Sequence, residues 1–141
     1  MKIIVYLEGP SDKLAMEHLL KSLIENANNV GIKINFCYIN PDKGRGNSKK
    51  ELISKLPIKA VNILSNDSDT IVIVIPDLYP LNSGGTHSKF PELKQLIQDK
   101  FTETLIRKKI SDKRINDRFE ILCFKYELEA IILAAEEQLA S

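Results

Sequence analysis

The run TIVIVI at residues 70–75 constrains the fold of this chain more than any other feature of its sequence. Every residue of the run is branched at Cβ, which favours an extended strand and disfavours a helix. An almost wholly apolar run, without alternation of polar residues, is typical of a strand buried on both faces, as in parallel sheets. The run therefore predicts the centre of a parallel sheet that is covered by helices.

Strand and helix patterns alternate along the rest of the chain. Three more strands are predicted, at 2–7, 32–39 and 119–124. Helices are predicted at 11–29, 49–56, 91–110 and 126–139. Ser11 is a suitable N-cap for the first helix, and Pro57 is expected to end the second. The alternation predicts an α/β fold with three layers: a mostly parallel four-stranded sheet with helices on both faces.

Length and composition fit a single domain over residues 1–141. Hydrophobic residues make up 43% of the chain, enough to bury a core, and charged residues 28%, enough to keep it in solution. The last predicted helix has no clear C-cap, which leaves open that the chain is a C-terminally truncated fragment of a longer protein or packs this helix against a partner. No export signal or apolar run of the ~20 residues needed to span a membrane is visible, so we expect a cytoplasmic location.

The formal net charge is only +1. A protein that coats nucleic acid through a general basic field is therefore not indicated. Any binding of nucleic acid has to depend on local basic patches or on bound metal ions.

Acidic residues follow three of the four predicted strands. Glu8 comes directly after the first strand, Asp77 follows Pro76 after the third, and Glu127 and Glu129 follow the fourth. The carboxyl ends of parallel strands share one edge of a sheet, and neighbouring strands lie about 4.8 Å apart, so these acids can share an ion. Their hard oxygen ligands suit Mg²⁺ or Mn²⁺. The alternative is that they only cap helices and complement helix dipoles.

Several segments resemble the Toprim (topoisomerase–primase) domain. The opening IIVYLEGPSDKLAMEHLL resembles the first Toprim motif through Glu8, Gly9 and Asp12. TIVIVIPDLYP resembles the second motif, a strand followed by Asp-x-Asp, with Asp77 as the first acid and Tyr79 in place of the second. RFEILCFKYELEAIILA and DKGRGNSKKELISKLP resemble the ELEA signature and the basic loop of a family of small prokaryotic Toprim-like proteins.

The resemblance implies metal-assisted cleavage or transfer at phosphodiester bonds of DNA or RNA, as in a nuclease. Glu8 would then act as a general acid or base or as a metal ligand, and Asp77 as the principal metal ligand. Glu127 or Glu129 would complete the group around Mg²⁺ or Mn²⁺.

Two other functions stay open. Tyr79 and the modest net charge favour a catalytically inactive Toprim-like module that binds nucleic acid or a protein partner, or that self-associates through its C-terminal helix. A third hypothesis is a nucleotide-binding protein of flavodoxin-like topology. For that function only Gly9-Pro10-Ser11 resembles a phosphate loop, and Pro10 lacks a backbone donor.

Two loops carry further candidate residues. Lys43, Arg45 and Lys49 belong to a glycine-bearing loop that either contacts phosphates of nucleic acid or is a solvated basic loop. His87 lies in SGGTHSK and is either a proton shuttle or metal ligand or simply exposed. A second basic cluster, between Lys108 and Arg118, precedes the fourth strand, so we expect it at the edge opposite the acids.

Overall fold

The structure is a computed structural model, and it describes residues 1–39, 48–76 and 90–122. Along these residues the chain forms β1 (Lys2–Leu7), α1 (Pro10–Leu19), α2 (Lys21–Asn29), β2 (Lys33–Tyr38), α3 (Ser48–Ser54), α4 (Leu56–Asn66), β3 (Thr70–Val74), α5 (Phe90–Arg107), α6 (Arg114–Asp117) and β4 (Phe119–Ile121). No helix in this part of the chain is both long and apolar enough to cross a membrane.

The strands form one four-stranded sheet in the order β2-β1-β3-β4, and every pairing is parallel. Tyr6 of β1 pairs with Cys37 of β2 and with Val74 of β3. The predicted strand at 70–75 is observed as Thr70–Val74. Val72 and Val74 are fully buried, as expected for a strand inside a parallel sheet.

Helices cover both faces of the sheet, which confirms the three-layer prediction. On one face α4 and α5 pack on the strands, and Phe101 of α5 stacks on Phe119 of β4 with ring centroids 4.1 Å apart. On the other face Met16 of α1 packs against Val5 and Phe36. Full burial of each such side chain stabilises the fold by about 1.5–3 kcal/mol, so these two clusters hold the strand ends in place.

Pro57 lies at the start of a helix, so the prediction that it ends one is wrong. It lies in the first turn of α4, a helix that the sequence analysis missed. A proline fits there because the first backbone N–H groups of a helix have no acceptor within the helix. The predicted short helix is α3, and it ends at Ser54, before the proline.

The first predicted helix is in fact two helices. Leu20, with φ −104° and ψ 20°, separates α1 from α2. Ser11 is not the N-cap, because the extended residue is Gly9 and Pro10 occupies the first turn. The proline fixes a helical φ, and with Gly9 as the N-cap the helix starts two residues earlier than it would with Ser11 as the cap.

Smaller differences occur near the end of the described chain. The predicted helix at 91–110 ends at Arg107, and Lys109 follows in the left-handed region with φ 56°. The short helix α6 was not predicted. The predicted fourth strand, 119–124, is observed as Phe119–Ile121, and Leu122 follows it; residues 123–124 and the predicted helix at 126–139 lie outside the described residues.

The sheet has a topological switch point between β1 and β3. The connection from β1 runs through α1 and α2 to β2 on one side, whereas the connection from β3 runs through α5 and α6 to β4 on the other. In open α/β sheets ligands bind at such a point, outside the carboxyl ends of the strands. The fold therefore selects the ends of β1 and β3 as the place to look for a functional site.

Candidate functional site at the carboxyl edge

Glu8 lies at the switch point. It follows β1 directly, after the buried Tyr6 and Leu7, so its backbone position is fixed by the core. The Oε1 atom of its carboxylate is buried. A carboxylate that is removed from water favours a nearby cation or donor, because burial penalises an isolated charge. Glu8 is thus well placed to hold an ion or a proton.

The neighbouring strand β3 leads directly to Asp77. The Ile75 N–H donates a hydrogen bond of 2.9 Å to the Tyr6 carbonyl, and extending the strand register by two residues from Tyr6 sets Glu8 beside Pro76. Ile75 and Pro76 are buried, so the point at which the chain leaves β3 is well defined. Asp77 is the next residue and lies outside the described residues, as do His87 and Tyr79.

The fourth strand leaves the sheet at the same edge. The Leu122 N–H donates a hydrogen bond of 2.8 Å to the Val74 carbonyl, which extends the pairing of β4 with β3. Glu127 and Glu129 follow five and seven residues later in the sequence, outside the described residues. β1, β3 and β4 are therefore adjacent, and each is followed by an acid that the sequence analysis selected.

Asp12 lies in the first turn of α1, at the same edge as Glu8. An acid in that turn also complements the positive end of the helix dipole, so its position alone does not make it a ligand. Lys43 and Arg45 lie outside the described residues. Lys49 belongs to the first turn of α3, and its side chain is likewise outside them.

A cavity that the sequence analysis missed opens beside the end of β2. Its volume is about 510 Å³, and its walls are Tyr38, Ile39, Lys55, Ile58, Lys59 and Asn62. The four helical members recur at intervals of three and four residues, which is one face of a helix. This periodicity is the sequence signal for the helical wall of the cavity. The prediction that Pro57 ends a helix conceals it.

The cavity, which we call the lysine trough, has a positively charged lining. Lys55 forms an ion pair of 2.9 Å with Glu51, whereas the Lys59 ammonium lies 5.5 Å from the centroid of the Tyr6 ring. At the far end the Lys108 ammonium donates a hydrogen bond to Asn62 Oδ1. Burial, and then the charge of nearby Cys37, raise the pKa of Tyr6 to about 12, so its phenol stays neutral under ordinary conditions.

The opposite, amino edge of the sheet is held by Arg118. Its guanidinium donates hydrogen bonds to the carbonyls of Leu64, Asp67 and Thr70, at 2.9, 2.7 and 3.0 Å. The second basic cluster therefore lies away from Glu8, as predicted, and Arg118 has a structural role. At the same edge the nearby Thr70 side chain, and then the Asp69 N–H, which donates to Oδ1 at 2.9 Å, lower the pKa of Asp67.

The described residues alone do not form a metal centre. Within 1–39, 48–76 and 90–122, no three His, Cys, Asp or Glu side chains are grouped so that they could hold a metal ion. The chemistry of Glu8 fits such an ion, since Mg²⁺ prefers carboxylate oxygens. A centre at this edge therefore requires acids from the segments that follow β3 and β4.

Comparison with protein-family models, with curated proteins and with solved structures finds no match. The class that the fold defines is a three-layer α/β protein with a parallel sheet in the order β2-β1-β3-β4. Since a fold of this class hosts many activities, the function has to be inferred from the carboxyl edge itself.

Proposed function

We propose that this protein is a Mg²⁺-dependent or Mn²⁺-dependent enzyme of the nuclease type that processes phosphodiester bonds of nucleic acid. The observation that carries the proposal is the adjacency of β1, β3 and β4, with Glu8 at the switch point and its Oε1 atom buried. The resemblance of the segments around Glu8 and Asp77 to the first two Toprim motifs supports the same activity. We expect the protein to act in the cytoplasm, on DNA or RNA.

In this proposal Asp77 and either Glu127 or Glu129 would hold the ion, and Glu8 would complete the ligands or act as the general acid or base. A bound ion of this kind neutralises phosphate charge and lowers the pKa of a bound water. Glu8, at the fixed end of β1, orients the reacting group and accepts or donates a proton. Its backbone position suits that task, because the buried Tyr6 and Leu7 hold the end of β1 in place.

Cleavage assays with single-stranded and double-stranded DNA and RNA test the proposal. Wild-type protein should cut at least one substrate with Mg²⁺ or Mn²⁺, and EDTA should stop the reaction. Glu8→Gln should lower the rate by at least about 100-fold, the usual contribution of general acid–base catalysis, and Asp77→Asn should abolish cleavage with either metal because the principal ligand is lost. Glu17→Gln is the matched control, because Glu17 is exposed in α1 and paired with Lys13 at 3.7 Å. Equal rates in all four proteins would contradict the proposal.

Tyr79 favours a second candidate function, a catalytically inactive module that binds nucleic acid or a protein partner. The Toprim pattern has an acid at this position, and a phenol is a poorer ligand for Mg²⁺. The module would bind nucleic acid in EDTA and release it unchanged in Mg²⁺ and Mn²⁺. The same assays separate the two functions, since cleavage that depends on Glu8 excludes the inactive module.

A further inference from the structure

We infer that the lysine trough binds the phosphodiester backbone of a single nucleic-acid strand and leads that strand to Glu8. The inference deepens the proposed function and rests on it for the identity of the substrate. It concerns a different set of residues from the acids, namely Lys55, Ile58, Lys59 and Asn62 of the α4 region and Tyr38 and Ile39 at the end of β2.

The chemistry of the trough suits an anion with apolar parts. Lys59 is exposed, and its ammonium lies over the Tyr6 ring, which orients the cation without neutralising it. Lys55 has Glu51 as an ionic partner, so Lys59 supplies the main net positive charge of the lining. Ile39 and Ile58 give apolar walls for a sugar or base, and Asn62 adds a polar group that already binds Lys108.

The position of the trough connects it to the acidic site. Tyr38 pairs with Leu7, the residue before Glu8, so the strand wall of the trough is one strand away from Glu8. Neighbouring strands are about 4.8 Å apart, which is less than one fully extended nucleotide unit, so a strand in the trough continues past Glu8. The order along the edge is then the trough at β2, Glu8 after β1 and the end of β3, which Asp77 follows in the sequence.

The size of the trough suits a short length of backbone. Its volume of about 510 Å³ lies within the range of small-molecule sites, roughly 300–1,000 Å³. A cavity of this volume holds a few nucleotide units at most, which favours one strand over a duplex as the bound group. A single nucleotide or inorganic phosphate shares the same phosphate chemistry, and the test below distinguishes these from a strand.

Fluorescence anisotropy of a labelled 12-nucleotide single strand, titrated in EDTA at several salt concentrations, tests the inference. EDTA removes the metal centre from the measurement, so failure of the proposed nuclease activity would leave this result unaffected. We expect Lys59→Gln to weaken binding several-fold and to reduce the slope of log K against log salt by about 0.7, the value for one phosphate contact on a single strand. Lys59→Arg, which keeps the charge, should bind like the wild type.

The control is Lys21→Gln, an exposed lysine of α2 on the opposite face of the sheet. It changes the net charge equally and should leave both affinity and salt slope unchanged. Equal weakening by Lys59→Gln and Lys21→Gln, or no measurable binding by the wild type, would overturn the inference. Competition by a nucleoside monophosphate or by inorganic phosphate as effective as by the unlabelled strand would also overturn it, because the trough would then be a small-anion site.

Discussion

The two edges of the sheet use their polar groups in different ways. At the amino edge the guanidinium of Arg118 satisfies three main-chain carbonyls, and the N-terminal ammonium of Met1 lies 3.0 Å from the Asp69 carboxylate. At the carboxyl edge Glu8 holds a buried carboxylate oxygen beside the switch point, and Lys59 lines an open cavity. The same four strands run between the two edges, so the difference in how the edges use polar groups does not arise from the hydrophobic core.

This difference separates groups that hold the fold from groups that are available to a ligand. Main-chain carbonyls at the amino edge would lose hydrogen bonds without Arg118, so that residue is expected to matter for stability. The exposed ammonium of Lys59 at the other edge does little for folding, because surface charges contribute at most about 1 kcal/mol. Substitutions at the two edges should therefore affect different measurements.

Arg118→Ala should give the largest loss of stability. The substitution removes hydrogen bonds to the Leu64, Asp67 and Thr70 carbonyls, and charged hydrogen bonds are worth about 1.5–3 kcal/mol each when not exposed. Since one of the three is exposed, we expect a total loss of about 2–4 kcal/mol in the free energy of unfolding, measured by urea denaturation. Arg107→Ala, at the exposed end of α5, is the control and should change it by under about 0.5 kcal/mol. Equal effects would remove the distinction between the edges.

Loss of the Tyr6 proton, in the carboxyl half of the sheet, should lower the stability of the protein at alkaline pH. Its pKa is about 12 in the folded protein, so the unfolded chain loses this proton first. The stabilisation that the neutral Tyr6 phenol gives to the folded protein is complete below pH 10, the ordinary pKa of tyrosine. It is lost as pH rises from 10 to the folded pKa of about 12, by about 1.4 kcal/mol per pH unit. Tyr6→Phe should lack this component in denaturation curves at pH 9 to 12, and an unchanged pH dependence would show that the phenol is not the cause.

Glu8→Gln should change binding while leaving the fold nearly as stable. We expect the free energy of unfolding in EDTA to change by less than about 1 kcal/mol, since the amide keeps the shape of the side chain. Divalent-metal binding should be lost in the same protein. A loss of stability as large as that of Arg118→Ala would instead make Glu8 a structural residue.

The smallest expected effect is the fall in the free energy of unfolding at acid pH that arises from Asp67 at the amino edge. The Thr70 side chain is the largest cause of the lowered pKa of Asp67, although its hydroxyl does not meet the geometry of a hydrogen bond. The second cause is the Asp69 N–H, which donates to Asp67 Oδ1 at 2.9 Å. A lowered pKa stabilises the fold above the ordinary pKa, and this stabilisation is lost as pH falls through the folded value. Asp67→Asn and Thr70→Val should both flatten the decline of stability below pH 4, measured by urea denaturation at pH 2 to 6; a decline as steep as in the wild type would contradict the assignment.

The sequence predicted the parts of the fold that depend on local patterns. The β-branched run at 70–75 identified the central strand, and Glu8 was correctly expected at the end of β1 because strand ends follow from the apolar pattern. The break at Leu20 was not predictable in this way, because the apolar residues recur at helical spacing on both sides of it and no proline or glycine marks it.

The lysine trough could not be predicted without tertiary structure. Its two walls, Tyr38–Ile39 and the 55–62 stripe, are separated in sequence by the segment that includes α3, and only the folded chain brings them to the same cavity. The error at Pro57 also hid the helical spacing of Lys55 and Lys59. The sequence predicts the edge at which Arg118 lies but not its structural role, because hydrogen bonds from a side chain to carbonyls about 50 residues away leave no local signal.

The most direct test of the central claim is isothermal titration of Mg²⁺ and Mn²⁺ into wild-type protein and into Asp77→Asn. The account predicts binding by the wild type and none by the variant, with the two proteins equally folded by circular dichroism. Absence of binding by either protein, or equal binding by both, would contradict a metal centre built on Asp77 and Glu8 at the carboxyl edge of the sheet.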